Sequence, residues 1–131
     1  MPRFLLDASV LYKVLENPRR YVEFVEESAI LDLTIYEVGN AVMVSARRGL
    51  IDDPLGFLRG FKEVVGLVEV IPITVNDIGE IAKIALETGL TYYDAAYVYK
   101  ARRHNLVLLT EDKEILRKAP DVSKSLEHIA G

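Results

Sequence analysis

The chain has 131 residues, half of them hydrophobic, which suffices for one buried core and leaves little room for a second domain. Its formal net charge of −4 argues against general coating of nucleic acid through a basic surface, although not against a local basic patch. The absence of cysteine excludes disulfides, thiolate catalysis and cysteine-ligated metal sites. We therefore expect a single domain over residues 1–131.

The start of the chain and its apolar runs are typical of an intracellular protein. Arg3 and Asp7 interrupt the first apolar residues, which does not fit a signal peptide. No apolar run approaches the ~18 residues that a membrane span needs. We therefore expect a cytoplasmic protein without a membrane-spanning segment.

Short runs of leucine and β-branched residues predict buried strands. In chain order these runs cover residues 4–6, 30–33, 67–71 and 106–109, and residues 122–126 are a candidate for a closing edge strand. Their near-continuous hydrophobicity is typical of strands that are buried on both faces, as in a parallel sheet.

Helical patterns fill the intervals between these strands. They cover residues 10–16, 18–27, 35–48, 54–65, 75–87, 92–104 and 112–118. Pro18 and Pro54 suit a first helical turn, and Gly49 marks a helix end. Strands that alternate with helices predict a three-layer α/β/α sandwich around a mostly parallel central sheet of four or five strands.

Acidic residues fall at the ends of these predicted elements. Asp7 directly follows the first strand, and Glu37 is predicted in the first turn of the helix after the second strand. Asp94 opens the helix that leads into the fourth strand, and Asp112 follows that strand. Because ligands of open α/β sheets bind at the carboxyl ends of the strands, we expect these carboxylates to converge.

Each acid also has a purely structural explanation. Thr34 with Glu37, and Thr91 with Asp94, match or nearly match the spacing of a helix capping box, and Asp7 could cap the helix that follows it. However, a single metal site explains all of the acids together. Clustered carboxylates repel one another by roughly a few kcal/mol per pair at an effective dielectric constant near 20. Hard oxygen ligands of this kind select Mg²⁺ or Mn²⁺.

Four short segments stand in a characteristic order along the chain: residues 4–11 (FLLDASVL), 36–41 (YEVGNA), 93–97 (YDAAY) and 108–113 (LLTEDK). In order and spacing they resemble the PIN-domain ribonucleases, most closely the VapC-type toxins of toxin–antitoxin pairs. The resemblance covers nearly the whole chain and implies a PIN-like fold.

The resemblance implies a metal-dependent endoribonuclease that hydrolyses RNA phosphodiester bonds with a metal-activated water. The residues that it implies as catalytic and as ligands of Mg²⁺ or Mn²⁺ are Asp7, Glu37, Asp94 and Asp112. Ser9 and Thr110 match the hydroxyl positions that support the first and last of these acids. Whether Glu111 or Glu114 shares the role of Asp112 stays open at this point, as does the choice between one metal ion and two.

The family's partners are an RNA substrate, a cognate antitoxin that covers the site, and a second copy of the chain in a homodimer. Three basic groups are candidates for phosphate contacts: Arg47 and Arg48; Lys100, Arg102, Arg103 and His104; and Lys113, Arg117 and Lys118. Ordinary solvated helix faces explain these groups equally well. Tyr36, Tyr92 and Tyr93 stand next to the acids and could stack bases, although such tyrosines are more often packing residues.

An apolar stripe could serve as a partner surface, with core packing as the default explanation: Leu50, Ile51, Leu55, Phe57 and Phe61.

Two other functions compete with the nuclease. The first is a non-catalytic PIN-like module that binds RNA or protein. The second is a phosphoacceptor or phosphohydrolase with Asp7 as a covalent nucleophile. This second alternative fits poorly, because Ser9 stands where haloacid-dehalogenase-like enzymes carry their second aspartate.

Overall fold

A five-stranded sheet forms the centre of the protein, as a computed structural model that describes residues 1–130 shows. The strands are β1 (Phe4–Leu6), β2 (Ser28–Leu31), β3 (Glu69–Ile71), β4 (Val107–Leu109) and β5 (Ser123–Lys124). Their order is β3-β2-β1-β4-β5, and all four neighbouring pairs are parallel. Gly131, the last residue of the predicted domain, lies outside the described residues.

Eight α-helices surround the sheet within residues 1–130. They are α1 (Ala8–Glu16), α2 (Pro18–Glu26), α3 (Asp32–Arg47), α4 (Pro54–Val65), α5 (Ile78–Thr88), α6 (Tyr92–His104), α7 (Lys113–Lys118) and α8 (Leu126–Ala130). A single 3-10 turn, Val75–Asp77, precedes α5 where the sequence predicts the first turn of the α-helix itself. None of these described helices combines the length and apolar character that crossing a membrane requires.

Side chains of the strands alternate between two core layers. On one face Leu5 and Leu108 pack in a cluster with residues of α5, α6 and α7. On the other face Leu6 and Leu109 pack with residues of α1 to α4 and α8. Because successive side chains of a strand point to opposite faces, covering both faces requires strands that are hydrophobic throughout. The predicted α/β/α sandwich is therefore confirmed, and its sheet is fully parallel.

The boundary between the second strand and the third helix differs from the prediction. The strand begins at Ser28 rather than at residue 30, and α3 begins at Asp32 rather than at residue 35. The Thr34 hydroxyl accepts a hydrogen bond from the Leu31 amide at 3.2 Å and so stabilises this early start. Glu37 consequently lies in the second turn of α3, and the predicted capping box of Thr34 with Glu37 was wrong.

The end of the chain also departs from the prediction. The strand predicted over residues 122–126 is limited to β5, and α8 begins at Leu126. The Leu126 side chain is 1% exposed in the core layer beneath β1, so its hydrophobicity reflects a helix contact rather than a strand. The Ser125 hydroxyl accepts from the His128 amide at 3.2 Å, which favours the helix start.

Candidate active site

The carboxyl ends of the two central strands meet at one edge of the sheet, where Asp7 is located. The Asp7 amide donates to the Leu109 carbonyl at 3.2 Å, which continues the pairing of β1 with β4. The Asp7 side chain caps α1, since its Oδ1 accepts from the Val10 amide at 3.0 Å and from the Ser9 hydroxyl at 2.6 Å. The Thr110 hydroxyl donates to Oδ2. Asp7 is thus both a helix cap and a candidate site residue.

Asp7 occupies an environment that disfavours its negative charge. Burial raises the pKa of the Asp7 carboxyl to about 6. Hydrogen bonds from Ser9, Thr110 and the Val10 amide lower this pKa, whereas the charge of Asp94 raises it further. An ionised Asp7 therefore gains from any additional positive charge placed beside it.

Ser9 and Thr110 connect Asp7 to the loop that follows β4. The Thr110 hydroxyl accepts from the Asp112 amide at 3.0 Å, and the Ser9 hydroxyl accepts from the Glu111 amide at 3.1 Å. Each hydroxyl donates to Asp7 and accepts from this loop at the same time. The two hydroxyls therefore fix the first acid relative to the last, in the supporting positions that the sequence predicts for them.

Asp112 begins the short helix α7. Its Oδ1 accepts from the Glu114 amide at 2.8 Å and from the Ile115 amide at 3.1 Å. Asp112 is therefore the N-cap of this helix. Its second carboxylate oxygen stays available to another partner.

Two neighbouring glutamates already have cationic partners. The Glu111 carboxylate lies 3.3 Å from the Lys13 ammonium, and the Glu114 carboxylate lies 2.7 Å from Arg117 and 3.2 Å from Lys118. A carboxylate that is already neutralised has less to gain from a metal ion. This arrangement favours Asp112 over both glutamates as the fourth acid of the cluster.

Glu37 is held by a tyrosine that the sequence analysis did not select. The Tyr97 hydroxyl donates to Glu37 Oε1 at 2.6 Å and contacts the Thr34 hydroxyl at 2.7 Å. Burial and the charge of Asp94 raise the pKa of Glu37, while the Tyr97 hydrogen bond lowers it. Burial and the Glu37 carboxylate raise the pKa of Tyr97 well above its ordinary range, so this hydroxyl remains a donor. The sequence signal that could have identified Tyr97 is its position one helical turn after Asp94.

Asp94 is the common electrostatic neighbour of the other three acids. It lies in the first turn of α6, where its amide donates to the Thr91 hydroxyl at 3.1 Å. Burial and the charge of Asp112 raise the pKa of the Asp94 carboxyl. The charge of Asp94 in turn raises the pKa values of Asp7 and Glu37. The structure therefore brings all four predicted acids into one electrostatically coupled region.

Within the described residues, the acid cluster, which we define as Asp7, Glu37, Asp94 and Asp112, forms no ion pair within 4.0 Å with a basic side chain. Their hard oxygen donors are of the type that Mg²⁺ and Mn²⁺ prefer. Over the same described range, no three acidic or histidine side chains are arranged as a ready-made metal site. The donor chemistry thus fits a divalent cation, although the side chains would have to adjust to hold it.

Four of the predicted phosphate contacts, the arginines at the ends of α3 and α6, lie away from the acid cluster. Arg102 follows Asp94 by eight residues on α6, which corresponds to about 12 Å along the helix axis, and it forms two 3.0 Å hydrogen bonds with Asp121. Arg103 is beside it. Arg47 follows Glu37 by ten residues on α3, which corresponds to about 15 Å, and Arg48 comes next.

Lys100 does not belong to a phosphate-binding surface. Its ammonium lies 2.9 Å from the Asp77 carboxylate, and both side chains are only 8% exposed. The pair joins α6 to the 3-10 turn that precedes α5. Two cations do lie near the acids: Lys113, which directly follows Asp112 in the chain, and Lys13, which is one helical turn after Ser9 and paired with Glu111. The sequence offers no signal for Lys13, because it stands alone rather than in a basic run.

Comparison with protein families settles the family of this fold. The family model described as PIN domain matches residues 4–121. The chain belongs to the PIN-domain family. PIN-domain relatives with VapC names include the exonuclease VapC9 of Pyrobaculum aerophilum, which is 40% identical over 130 residues covering 97% of this chain and 96% of that protein. The ribonuclease VapC3 of the same organism is 35% identical over 111 residues, covering 80% of this chain and 81% of that protein.

Solved structures share this PIN fold. A crystal structure of a Pyrobaculum aerophilum protein superposes with a TM-score of 0.87 at 36% identity, covering 98% of this chain and 94% of the other. A toxin–antitoxin complex from Klebsiella pneumoniae contains a chain that superposes with a TM-score of 0.67 at 21% identity, covering 92% of this chain and 95% of the other. The second likeness concerns the fold alone.

Proposed function

We propose that this PIN-domain protein is a metal-dependent endoribonuclease and the toxin of a toxin–antitoxin pair. The observation that carries the proposal is the position of Asp94, whose charge acts on Asp7 and Glu37 and is itself opposed by Asp112. Such a cluster without basic partners gains stability from a bound cation, because its ionised carboxylates repel one another. The exonuclease and ribonuclease names of its VapC relatives support the same class of reaction.

The four carboxylates of the acid cluster would hold the divalent ion. When bound, Mg²⁺ or Mn²⁺ supplies positive charge for the scissile phosphate and increases the acidity of water. Asp7 is held for this role by Ser9 and Thr110, which leave its carboxylate little freedom to rotate. Glu37 is oriented in the same way through its Oε1, which leaves Oε2 available.

We assign to Glu37, acting as a ligand through water, the role of receiving a proton during hydrolysis. In that step the water oxygen bonds to phosphorus, the bond from phosphorus to the 3′ oxygen breaks, and Glu37 Oε2 takes the water proton. The leaving 3′ oxygen takes its proton from solvent, which yields a 3′-hydroxyl and a 5′-phosphate. Because the pKa of Glu37 is raised by burial, its carboxylate is a stronger base than an exposed one.

A cleavage assay on two substrates tests the proposed function. Purified protein is incubated with linear and covalently circular RNA of the same sequence, in Mg²⁺, in Mn²⁺ and in EDTA. We expect cleavage of both RNAs with metal and none in EDTA. Asp94→Asn should reduce the rate by at least about 100-fold, whereas exposed Asp52→Asn should not change it.

Each remaining outcome of this assay contradicts part of the proposal. Cleavage of linear RNA alone would identify an exonuclease, as the name of the VapC9 relative describes that protein. Equal residual activity in wild type and Asp94→Asn would instead favour the non-catalytic binding module. Activity that persists in EDTA would exclude the metal-dependent mechanism.

An apolar groove beside the acids supports the antitoxin partner. A cavity of about 860 Å³ is lined by Ser9 together with residues of α1, α3 and the start of α4. Leu50, which lines this cavity, and Leu55 are 73% and 67% exposed, whereas Phe61 of the same predicted stripe is buried in the core. The partner-surface prediction therefore narrows to the exposed part of this stripe. We expect the protein to co-purify with the product of the adjacent reading frame, and we expect the Leu50→Glu variant not to do so. Light scattering tests the proposed homodimer.

A further inference from the structure

A second, smaller cavity is lined by residues of α3, of α6 and of the segment after β3. It has a volume of about 260 Å³, and its lining includes Tyr36, Tyr92, Tyr93, Asp32 and Ile73. We call it the tyrosine pocket. Apart from the Asp32 carboxylate and the tyrosine hydroxyls, its side chains are apolar. The pocket therefore offers ring faces and hydrocarbon rather than charge to a ligand.

The three tyrosine rings are open to solvent. Tyr36, Tyr92 and Tyr93 are 79%, 42% and 57% exposed. Within residues 1–130, none of the three has an aromatic partner or a hydrogen bond from its hydroxyl. Tyr12, by contrast, packs on Phe57 with ring centroids 5.3 Å apart. Packing within the chain therefore accounts for Tyr12 and leaves these three rings without a structural role.

Two rings of the tyrosine pocket are next to proposed catalytic residues in the chain. Tyr36 immediately precedes Glu37 on α3, and Tyr93 immediately precedes Asp94 on α6. Successive residues of a helix point about 100° apart. The rings and the carboxylates therefore occupy neighbouring positions on the same two helices and point in different directions.

Asp32 gives the pocket a fixed wall. Its carboxylate accepts from the Leu33 amide at 2.8 Å and from the Ile73 amide at 3.2 Å. These bonds connect the first turn of α3 to the segment after β3. Because Asp32 already has these partners, we assign it to holding the wall in place and the tyrosines to contacting the ligand.

We infer that the tyrosine pocket stacks an unpaired nucleobase adjacent to the scissile phosphate. This inference rests on the proposed function and names the side chains that would bind a base of its RNA substrate. The arginines at the ends of α3 and α6 lie about 12 to 15 Å along their helices from Glu37 and Asp94, and the chain carries a net charge of −4. Stacking on aromatic rings supplies affinity that needs no positive charge and tolerates any base, because every base has a π-face.

A binding experiment in EDTA tests the inference without any cleavage. Fluorescence anisotropy measures the affinity of a labelled, unstructured RNA decamer and of the same ribose-phosphate strand without bases. Tyr92→Leu/Tyr93→Leu removes two rings and keeps apolar volume, whereas Tyr92→Phe/Tyr93→Phe keeps both rings. Leu86→Ala, at a side chain that is 86% exposed on α5, is the control.

We expect the affinity to fall only when the rings are removed and the strand carries bases. The double leucine variant should bind the normal decamer about 5- to 150-fold more weakly for each stack that it loses. The phenylalanine variant and Leu86→Ala should bind within about twofold of wild type. On the abasic strand, wild type and the leucine variant should bind equally, which is the signature of a direct coupling between ring and base.

Several results would overturn the inference. Equal affinity of wild type for the normal and abasic strands would do so, as would an equal loss of affinity by the leucine variant on both strands. Conversion of a dimer to a monomer by the leucine variant, measured by light scattering, would do so too. The last result would assign the rings to contact with a second copy of the chain. Ring-dependent binding without RNA cleavage in Mg²⁺ would contradict the proposed function and support base stacking in the pocket. Metal-dependent cleavage with no ring dependence would contradict base stacking and support the proposed function.

Discussion

The hydroxyl of Tyr97 donates to Glu37 Oε1 at 2.6 Å, so a residue of α6 fixes an acid of α3. The same hydroxyl contacts Thr34 at 2.7 Å, and Tyr97 is only 1% exposed. These contacts cross the edge of the sheet and hold the two helices that carry Glu37 and Asp94. We therefore regard Tyr97 as a positioning residue for the acid cluster.

Replacing Tyr97 with phenylalanine removes this hydroxyl and keeps the buried ring. We expect a loss of about 1–2 kcal/mol in the free energy of unfolding, because Glu37 and Thr34 lose a partner. Metal affinity or activity should fall about 10- to 100-fold, as is usual when a residue that orients a metal ligand is removed. The pKa of Glu37 should rise, which moves the acidic limb of the pH–rate profile to higher pH. Tyr99→Phe on the same helix is the control and should leave this limb unchanged.

The electrostatic position of Asp94 predicts an effect on its neighbours. Replacing it with asparagine removes a charge that raises the pKa values of Asp7 and Glu37, so both values should fall. The Asp7 value should stay above 3.8, since burial is the larger cause of its increase. Titration of the carboxyl carbons by NMR in metal-free protein measures both. Unchanged values in Asp94→Asn would show that the acids are not one cluster.

The buried Asp7 carboxyl predicts that the metal-free protein loses stability as pH rises. Its folded pKa of about 6 exceeds the ordinary 3.8, so the folded state binds more protons than the unfolded state between these values. The free energy of unfolding should therefore decrease through this window, by up to about 3 kcal/mol. Asp7→Asn should remove this decrease and be more stable than wild type at pH 7 in EDTA, with activity abolished.

Chemical denaturation at pH 4 and pH 7 measures this difference. At pH 4 the variant and the wild type should have similar stability, because Asp7 is then largely protonated. A variant that is less stable than wild type at pH 7 would contradict the prediction and would show that the hydrogen bonds of Asp7 outweigh its burial.

The buried pair of Lys100 with Asp77 predicts a large effect on stability and none on catalysis itself. Lys100→Met leaves Asp77 with only its bonds from Thr74 and should cost about 3 kcal/mol in urea denaturation. Lys100→Met/Asp77→Asn should recover much of this loss, since no unpaired charge remains. Arg102→Met, which breaks a more exposed pair, should cost less than about 1 kcal/mol. An equal loss of stability in Arg102→Met and Lys100→Met would mean that burial does not determine how much these ion pairs contribute to stability.

The sequence alone predicts the bounds of an element correctly where a single residue ends one element and begins the next. Asp7 closes a fully hydrophobic strand and caps the next helix, so β1 was predicted with its observed bounds. The helix over residues 92–104 was likewise predicted with its observed bounds. Its start is capped by Thr91, and its end is marked by Asn105 in the left-handed region at φ 54°.

Other features depend on contacts that the linear pattern does not display. Leu33 continues a hydrophobic run and was therefore predicted in a strand, whereas Asp32 and the Thr34 hydroxyl begin the helix before it. The bond from Tyr97 to Glu37 joins residues 60 positions apart and needs the fold to be known. The separation of Arg102 from Asp94, however, follows from helix length alone and could have been calculated.

The pairing of Phe4 with Val107 also determines when the newly synthesised protein can complete its sheet. At about 5–20 residues per second, β4 leaves the ribosome roughly 5–20 s after β1, and until then the central strand β1 lacks one of its two neighbours. Asp7 and Asp112 cannot be assembled earlier, because Asp112 follows β4. The nuclease site that we propose therefore cannot form until residue 112 has left the ribosome.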